Sequence, residues 1–531
     1  MNRGARLARS AGVVSGATLV SRVFGFIRDM IVANAFGASM SADAFYVAFG
    51  IPNLLRNFFA EGALSAAFIP VFTRERTNRG DEAARRLSGA LMVSLALILA
   101  VVTLLGVLAA PYVVRILVPG FTGNPSKYAL TVTLTRIMFP FIFFIGLAAI
   151  SAGILNIVGH FLTPALTPVF FNLSMIACAL WLAPSLDKPV AGLAWGVVIG
   201  GAAQWVVQLK PLHTRRQIPR WRWEPLHPGS RRVAGLMVPA LFGFSIAQIS
   251  TLVDRFLASF LAEGSISFLY YANRLLQFPL GVFGIALSIA FFPALASHAA
   301  RKEEGALVET LGEGLRLILF VCLPSAVGLA ILASPIIQVL FERGAFTATD
   351  TAMTARAVIA YAAGLVAYAG VKIIVSAFYS LQDTRTPVRI AAWVLMANVA
   401  LNLLLMIPLK HAGLALASAL CAYLNVGLLL RSLRRRLGPL RGRAILGSLL
   451  RILPPTGVLA AVVYGVNRMI YVPSGSLAGR AGALAACLVA GASVYLLTAR
   501  AMGCPELSIL RESLRGREVK EPLPSLDLNP P

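Results

Sequence analysis

Apolar runs long enough to cross a bilayer recur along the whole chain, and nothing constrains its fold more. The hydrocarbon core of a bilayer needs about 20 apolar residues of helix. Runs of that order fall at 11–36, 42–72, 87–117, 128–156, 161–183, 189–209, 233–262, 266–297, 314–341, 352–380, 388–408, 411–430, 452–472 and 478–500. With no water in the core, each span must satisfy its backbone N–H and C=O groups internally, which makes it a helix. The expectation is an all-α polytopic membrane protein with fourteen spans. Composition agrees, at 58% hydrophobic and 13% charged, against about 25% charged in an ordinary soluble domain. A basic start, MNRGARLARS, precedes the first apolar run, which lacks a small-residue cleavage site. It reads as a retained first span.

The net charge of +25 comes from 47 Lys and Arg against 22 Asp and Glu. In a soluble chain that balance would suggest nucleic acid. Here position decides otherwise. With the N-terminus inside, 32 of the 47 basic residues fall on the cytoplasmic side, six outside and nine within spans. That asymmetry is the positive-inside rule, with both termini cytoplasmic. The basic loops then serve topology and contact with membrane lipids, and no nucleic acid is expected. The loop at 213–232, with Trp221 and Trp223 among arginines, reads as interfacial, 299–316 as a short amphipathic helix, and the tail beyond Arg517 as disordered. The five cysteines are scattered singly, without metal or disulfide spacing.

Short matches recur at nearly constant offset. AGLA occurs at 191–194 and 412–415, Thr163-Pro164 pairs with Thr386-Pro387, Pro52 with Pro279, and Pro70 with Pro293. Offsets of 221 to 227 residues imply two homologous halves of six spans each. An even number of spans per half makes the repeats parallel, related by a pseudo-two-fold axis along the membrane normal. The expected organisation is an N-lobe at 1–210, a basic linker at 211–232 and a C-lobe at 233–431. A basic loop at 432–451, two additional helices at 452–500 and a tail at 501–531 follow.

Charges inside the spans carry the chemistry, because a charge in hydrocarbon costs a few kcal/mol or more unless it faces a cavity or a partner. The nine are Arg22, Arg28, Arg56, Arg136, Arg255, Arg274, Arg356, Lys372 and Arg468. Arg22 and Asp29 are seven residues apart and share a helix face, with Gly25 between them. Pairing with Asp29, Glu61 and Asp254 would lock helices together, and that reading suits Arg255 beside Asp254, Arg136, Arg356 and Arg468. The acids are too few to neutralise the whole set. An anionic ligand would account for the surplus, and guanidinium forks suit phosphate or diphosphate. Asp254, Asn398, Asn402 and Ser418 offer hard oxygen ligands for a small cation, or equally a set of interhelical hydrogen bonds. No Walker motif and no histidine-rich metal pattern is present in the sequence, so no enzyme activity is expected.

Five segments resemble the MurJ/MviN family of lipid II flippases. They are SRVFGFIRD (21–29), SADAFYVAFGIPNLLRNFFAEGALSAAFIPVF (41–72), YYANRLLQFPLGVFG (270–284), FERGAFTATDT (341–351) and AFYSLQDTRTPVRIA (377–391). The resemblance implies a fold of the multidrug/oligosaccharidyl-lipid/polysaccharide exporter superfamily, with two lobes and a lipid-tail groove formed by spans 13 and 14. It implies translocation of lipid II, an undecaprenyl-diphosphate-linked peptidoglycan precursor, from the inner to the outer leaflet by a monomer. It assigns the diphosphate cavity to Arg22, Arg28, Arg56 and Arg274, function to the acids Asp29 and Asp43, and a further cavity position to Lys372; Glu61, five residues from Arg56 in the second span, is a further candidate functional acid. Some members bind Na+ through positions matching Asp254, Asn398, Asn402 and Ser418. No other cofactor is implied. The alternatives are an O-antigen-type flippase, a multidrug exporter and a non-transporting membrane scaffold.

Overall fold

Helices begin where local chemistry lets them. Asn124 accepts the Lys127 N–H with its side chain, and Pro125 at the first helical position starts a helix there. His227 ahead of Pro228 and Ser476 ahead of Leu477 do the same further on. A computed structural model describes residues 3–56, 63–220, 223–224 and 227–514. Its helices are α1 Arg3–Phe36, α2 Met40–Arg56, α3 Ala63–Leu117, α4 Pro125–Met138, α5 Phe141–Ile157, α6 Leu162–Ala177, α7 Val190–Thr214, α8 Pro228–Ala258, α9 Ser265–Pro279 and α10 Ala286–Ala300. They continue with α11 Glu304–Ile331, α12 Ala333–Leu340, α13 Ala348–Ala362, α14 Leu365–Ser380, α15 Arg385–Leu409, α16 His411–Leu437, α17 Gly442–Ile470, α18 Leu477–Ala501 and α19 Glu506–Leu514. No strand occurs among the described residues.

Among the described residues, ten helices are long and apolar enough to cross a membrane, or eleven if the bent pair α13–α14 is one span. These account for the expected spans 3–6 and 8–14. The other three expected spans fall on α1, on α2 with the start of α3, and on α8. Charged residues punctuate these segments: Arg22, Arg28 and Asp29 in α1, Asp43 and Arg56 in α2, and Asp254 and Arg255 at the end of α8.

Several helices outrun the expected spans. The segment 74–86, expected as a loop, belongs to α3, whose one non-helical residue is Gly80 at φ +84°. The basic connection expected at 432–451 shrinks to 438–441 between α16 and α17. Arg434, Arg435 and Arg436 ride on the last turn of α16, where a helix favours cations. Residues 299–316 form no helix of their own; α11 runs unbroken from Glu304 to Ile331.

The chain divides into two compact units, comprising residues 1–274, 337–357 and 391–418 in the first and 275–336, 358–390 and 419–531 in the second. Within the first, α3, α5 and α7 pack together, α6 lies between α1 and α7, and α2 lies on α4. Tyr271, Phe341 and Phe346 form an aromatic cluster within it, with ring centroids 5.0–6.0 Å apart. Within the second, α11 is central, flanked by α10, α14 and α17, and α17 pairs with α18. Tyr495 of α18 donates to the Phe320 carbonyl of α11 at 2.6 Å. Cys178, Cys322, Cys421, Cys487 and Cys504 are all buried thiols.

Candidate functional site

The first unit buries a charged network where α1, α6 and α9 meet. Arg28 holds Asp29 Oδ1 from Nη2 at 2.6 Å and from Nε at 3.1 Å. Its Nη1 donates to Asn172 Oδ1 on α6 at 3.0 Å, and its Nη2 also reaches the Tyr270 hydroxyl at 3.2 Å. Asn172 in turn donates to the Ser21 carbonyl, pinning α6 to α1. The second Asp29 oxygen, Oδ2, pairs with Arg274 Nε of α9 at 2.7 Å. Asp29 is only 1% exposed, whereas the Arg274 side chain keeps 33% of its surface open. Tyr270 stacks on Tyr46 of α2 with ring centroids 3.9 Å apart.

This network forms one wall of a cavity of about 590 Å³. Arg28, Arg56 and Arg274 line it together with Asn53, Asn172 and Tyr270, and Arg56 Nε donates to Asn53 Oδ1 at 2.8 Å. Among the described residues the lining holds three guanidiniums and no carboxylate, because Asp29 lies behind them. A site of this kind attracts anions, and its forks are shaped for bidentate oxygens.

Gly25 makes room for the Arg274 fork. A Cβ there would stand 2.6 Å from Arg274 Nη2 and 3.5 Å from Asn172 Nδ2. The obstructed atom is the end of a flexible side chain, so Gly25→Ala should fold normally while turning the guanidinium away. We expect anion binding in the cavity to weaken about tenfold with thermal stability unchanged. Undiminished anion binding by this variant would show that the fork's placement is unimportant.

The other expected site residues divide. Arg22 shares α1 with Arg28 but is exposed and outside the cavity lining. Lys372 is exposed on α14, in the second unit. Glu61 lies outside the described residues. Asp43 is 1% exposed and stands apart from the lining. It pairs with Lys127 at 2.8 Å and accepts the Gly264 and Ser267 N–H groups and the Ser267 hydroxyl at 2.8–3.0 Å, holding the start of α9. Lys127, counted in the sequence as an outside-loop charge, is therefore buried. The Asn124–Pro125 cap that draws it into α4 was the legible signal. Asn172 escapes the sequence reading, since an asparagine in an apolar run reads as an ordinary interhelical bond; Tyr270 stands in the resembling segment at 270–284 without a role of its own.

Asp254, Asn398 and Asn402 come together in the first unit. Asn402 Nδ2 donates to Asp254 Oδ1 at 2.8 Å and to Asn398 Oδ1 at 3.0 Å. Asn402 Oδ1 is buried and has no partner. That orphaned acceptor beside a carboxylate and a second amide oxygen fits a hard cation. Ser418, half-buried on α16, makes no hydrogen bond to the three. Asp254 does not pair with its neighbour; the Arg255 guanidinium lies across Gly50 of α2 instead. The arginines expected to pair with acids also differ. Arg136 bonds the Val107 carbonyl, Arg356 approaches Met353 Sδ, and Arg468 bonds and overlies Tyr464.

Comparison with known proteins adds to this geometry. The family model described as lipid II flippase MurJ matches residues 32–477. A probable lipid II flippase MurJ of Vibrio cholerae is 41% identical over 437 residues, covering 81% of this chain and 83% of the relative. The lipid II flippase MurJ of Burkholderia cenocepacia is 41% identical, covering 81% and 84%. A probable lipid II flippase MurJ of Rhizobium tropici is 34% identical, covering 97% of each chain. A solved lipid II flippase MurJ in an inward closed conformation matches with TM-score 0.77 and 28% identity, covering 94% of this chain and 99% of that one. An inward-facing MATE family multidrug resistance transporter shares the fold, with TM-score 0.65, 15% identity and 81% and 99% coverage.

Proposed function

This chain belongs to the lipid II flippase MurJ family, and from that membership we propose how it moves lipid II across the cytoplasmic membrane. The observation that carries the reading is the cavity wall of Arg28, Arg56 and Arg274 without a carboxylate among the described lining. These guanidiniums hold the diphosphate, with Arg274 making the first contact because it is the most open of the pair on Asp29. Asp29 keeps Arg28 and Arg274 aimed while the cavity is empty, and Arg274 leaves it for the ligand. Bound and empty states then differ in their contacts, as any ligand-driven shift requires. Arg22, exposed on the same helix, guides the anionic head group towards the cavity, and Lys372 contributes in another stage of the cycle.

Fourteen spans, with both termini cytoplasmic, form two six-helix lobes that alternate access, and α17 and α18 carry the lipid tail. The protein works as a monomer. A cationic wall repels cationic drugs, which disfavours the multidrug alternative. The reading is tested by depleting the protein and measuring lipid II in each leaflet. Accumulation in the inner leaflet is expected; an unchanged distribution would refute it.

Na+ is proposed as a coupling ion held by Asp254, Asn398 and Asn402, with Ser418 joining as α16 shifts. Bound Na+ would supply charge neutralisation at Asp254. A ligand that binds the folded state raises its stability by mass action. We expect NaCl, compared with KCl at equal ionic strength, to raise the thermal stability of the purified protein but not that of Asp254→Ala. Equal responses to the two salts would remove the cation from the scheme.

A further inference from the structure

Arg136, on α4, is exposed, and its hydrogen bond runs from Nε to the Val107 carbonyl of α3 at 3.3 Å. It lies outside the lining of the cationic cavity. A guanidinium facing hydrocarbon costs several kcal/mol unless an anion or water meets it.

Val107 also forms one end of an apolar groove of about 340 Å³. Ala100, Thr103, Leu104 and Val107 form one wall; their spacing of three and four places them on a single face of α3. Phe143 and Phe144 of α5 form the other. The groove opens where the helix breaks at Phe139–Pro140, between α4 and α5. Its surroundings on α3 face outward: Val101, Leu105 and Leu108 are all exposed. Such a surface is wetted by lipid tails, not water.

The depth of the groove matches one lipid. The Tyr128 hydroxyl bonds the Pro111 carbonyl at 2.8 Å near the α3–α4 turn, and tyrosine is enriched at membrane interfaces. Val107 lies one turn inward of Pro111, about 6 Å, and Ala100 about 10 Å further. An anion at Arg136 would therefore stand just below the interface, with an apolar chain running inward from it. That is the orientation of a phospholipid in the leaflet at the α3–α4 turn. One guanidinium suits the single charge of a phosphodiester better than a diphosphate.

We propose that this groove binds an anionic glycerophospholipid, its phosphodiester on Arg136 and one acyl chain along Val107–Ala100 against Phe143 and Phe144. The site is separate from the substrate cavity and does not depend on which lipid is transported.

The test uses the full chain in nanodiscs doped with phosphatidylglycerol or phosphatidylcholine carrying a photoreactive acyl chain. Crosslinks are mapped by mass spectrometry to residues 100–107 and 143–144. Phosphatidylglycerol should label these segments at least fivefold more than phosphatidylcholine. R136Q should abolish that preference, and A100F, which fills the groove, should reduce labelling by both probes. Equal labelling of the unaltered chain by the two probes, or an R136Q variant that keeps the preference, would overturn the proposal. So would displacement of the phosphatidylglycerol probe by equimolar undecaprenyl diphosphate, which would assign the groove to the transported lipid. Should R136Q fail to fold, the head-group preference is read on the unaltered chain, and A100F decides whether the labelled site is this groove: labelling undiminished in A100F would overturn the proposal.

Discussion

Arg274→Ala abolishes lipid II transport while the protein still folds: that is the largest functional effect expected from this geometry. Each hydrogen bond to a charged group contributes about 1.5–3 kcal/mol. Loss of a two-pronged contact should therefore weaken lipid II binding by about a hundredfold or more. Arg274→Lys should recover only part, since an ammonium lacks the planar fork. Arg28→Ala is a less clean test. Arg28 is 9% exposed and makes two of the bonds to Asp29. Its removal leaves a buried carboxylate short of its main partner, which costs about 3–5 kcal/mol. The measurement is complementation of growth together with melting of the purified variants. Full growth on Arg274→Ala would take the diphosphate away from this wall. A melting temperature for Arg274→Ala as low as that for Arg28→Ala would make Arg274 a structural residue.

The largest stability effect is expected at Asp43. Asp43→Asn would leave Lys127 charged and buried at 7% exposure, and would weaken the bonds to Gly264 and Ser267. The loss should be about 3–5 kcal/mol. Pairing Asp43→Asn with Lys127→Met should restore a good part of it, because removing both charges costs less than stranding one. Thermal aggregation of detergent-solubilised variants, followed by size-exclusion chromatography, reads both effects. A double variant no better than the single one would show that Lys127 is not the reason for the loss.

Much of the fold was legible because a membrane helix must be both long and apolar, and length and hydropathy are properties of sequence. The site was partly legible for the same reason: Arg28, Asp29, Arg56 and Arg274 stand out against apolar neighbours. What escaped depends on contacts between distant segments. Asn172 meets Arg28 across 144 residues of chain. Lys127 was read as a loop charge because its partner Asp43 lies 84 residues away. Gly25 stands out in the sequence only by lying between Arg22 and Asp29, whereas its use is the missing Cβ that admits Arg274. Arg22 shows the converse limit, since a shared helix face with Asp29 did not bring it into the cavity lining.

The burial of every cysteine opens a practical route to watching this protein move. Thiol reagents attack the thiolate, and a thiol enclosed by apolar side chains is slow to react. Cys178, Cys322, Cys421, Cys487 and Cys504 should therefore remain silent towards a membrane-impermeant maleimide applied to intact cells. A cysteine introduced at an exposed position without an assigned role, such as Thr122 or Thr214, could then be read against a dark background, without first stripping the native five. Reporter positions can be compared in a chain whose own thiols still pack as they do in the unaltered protein. Labelling rates with and without substrate would then time the opening of each face directly.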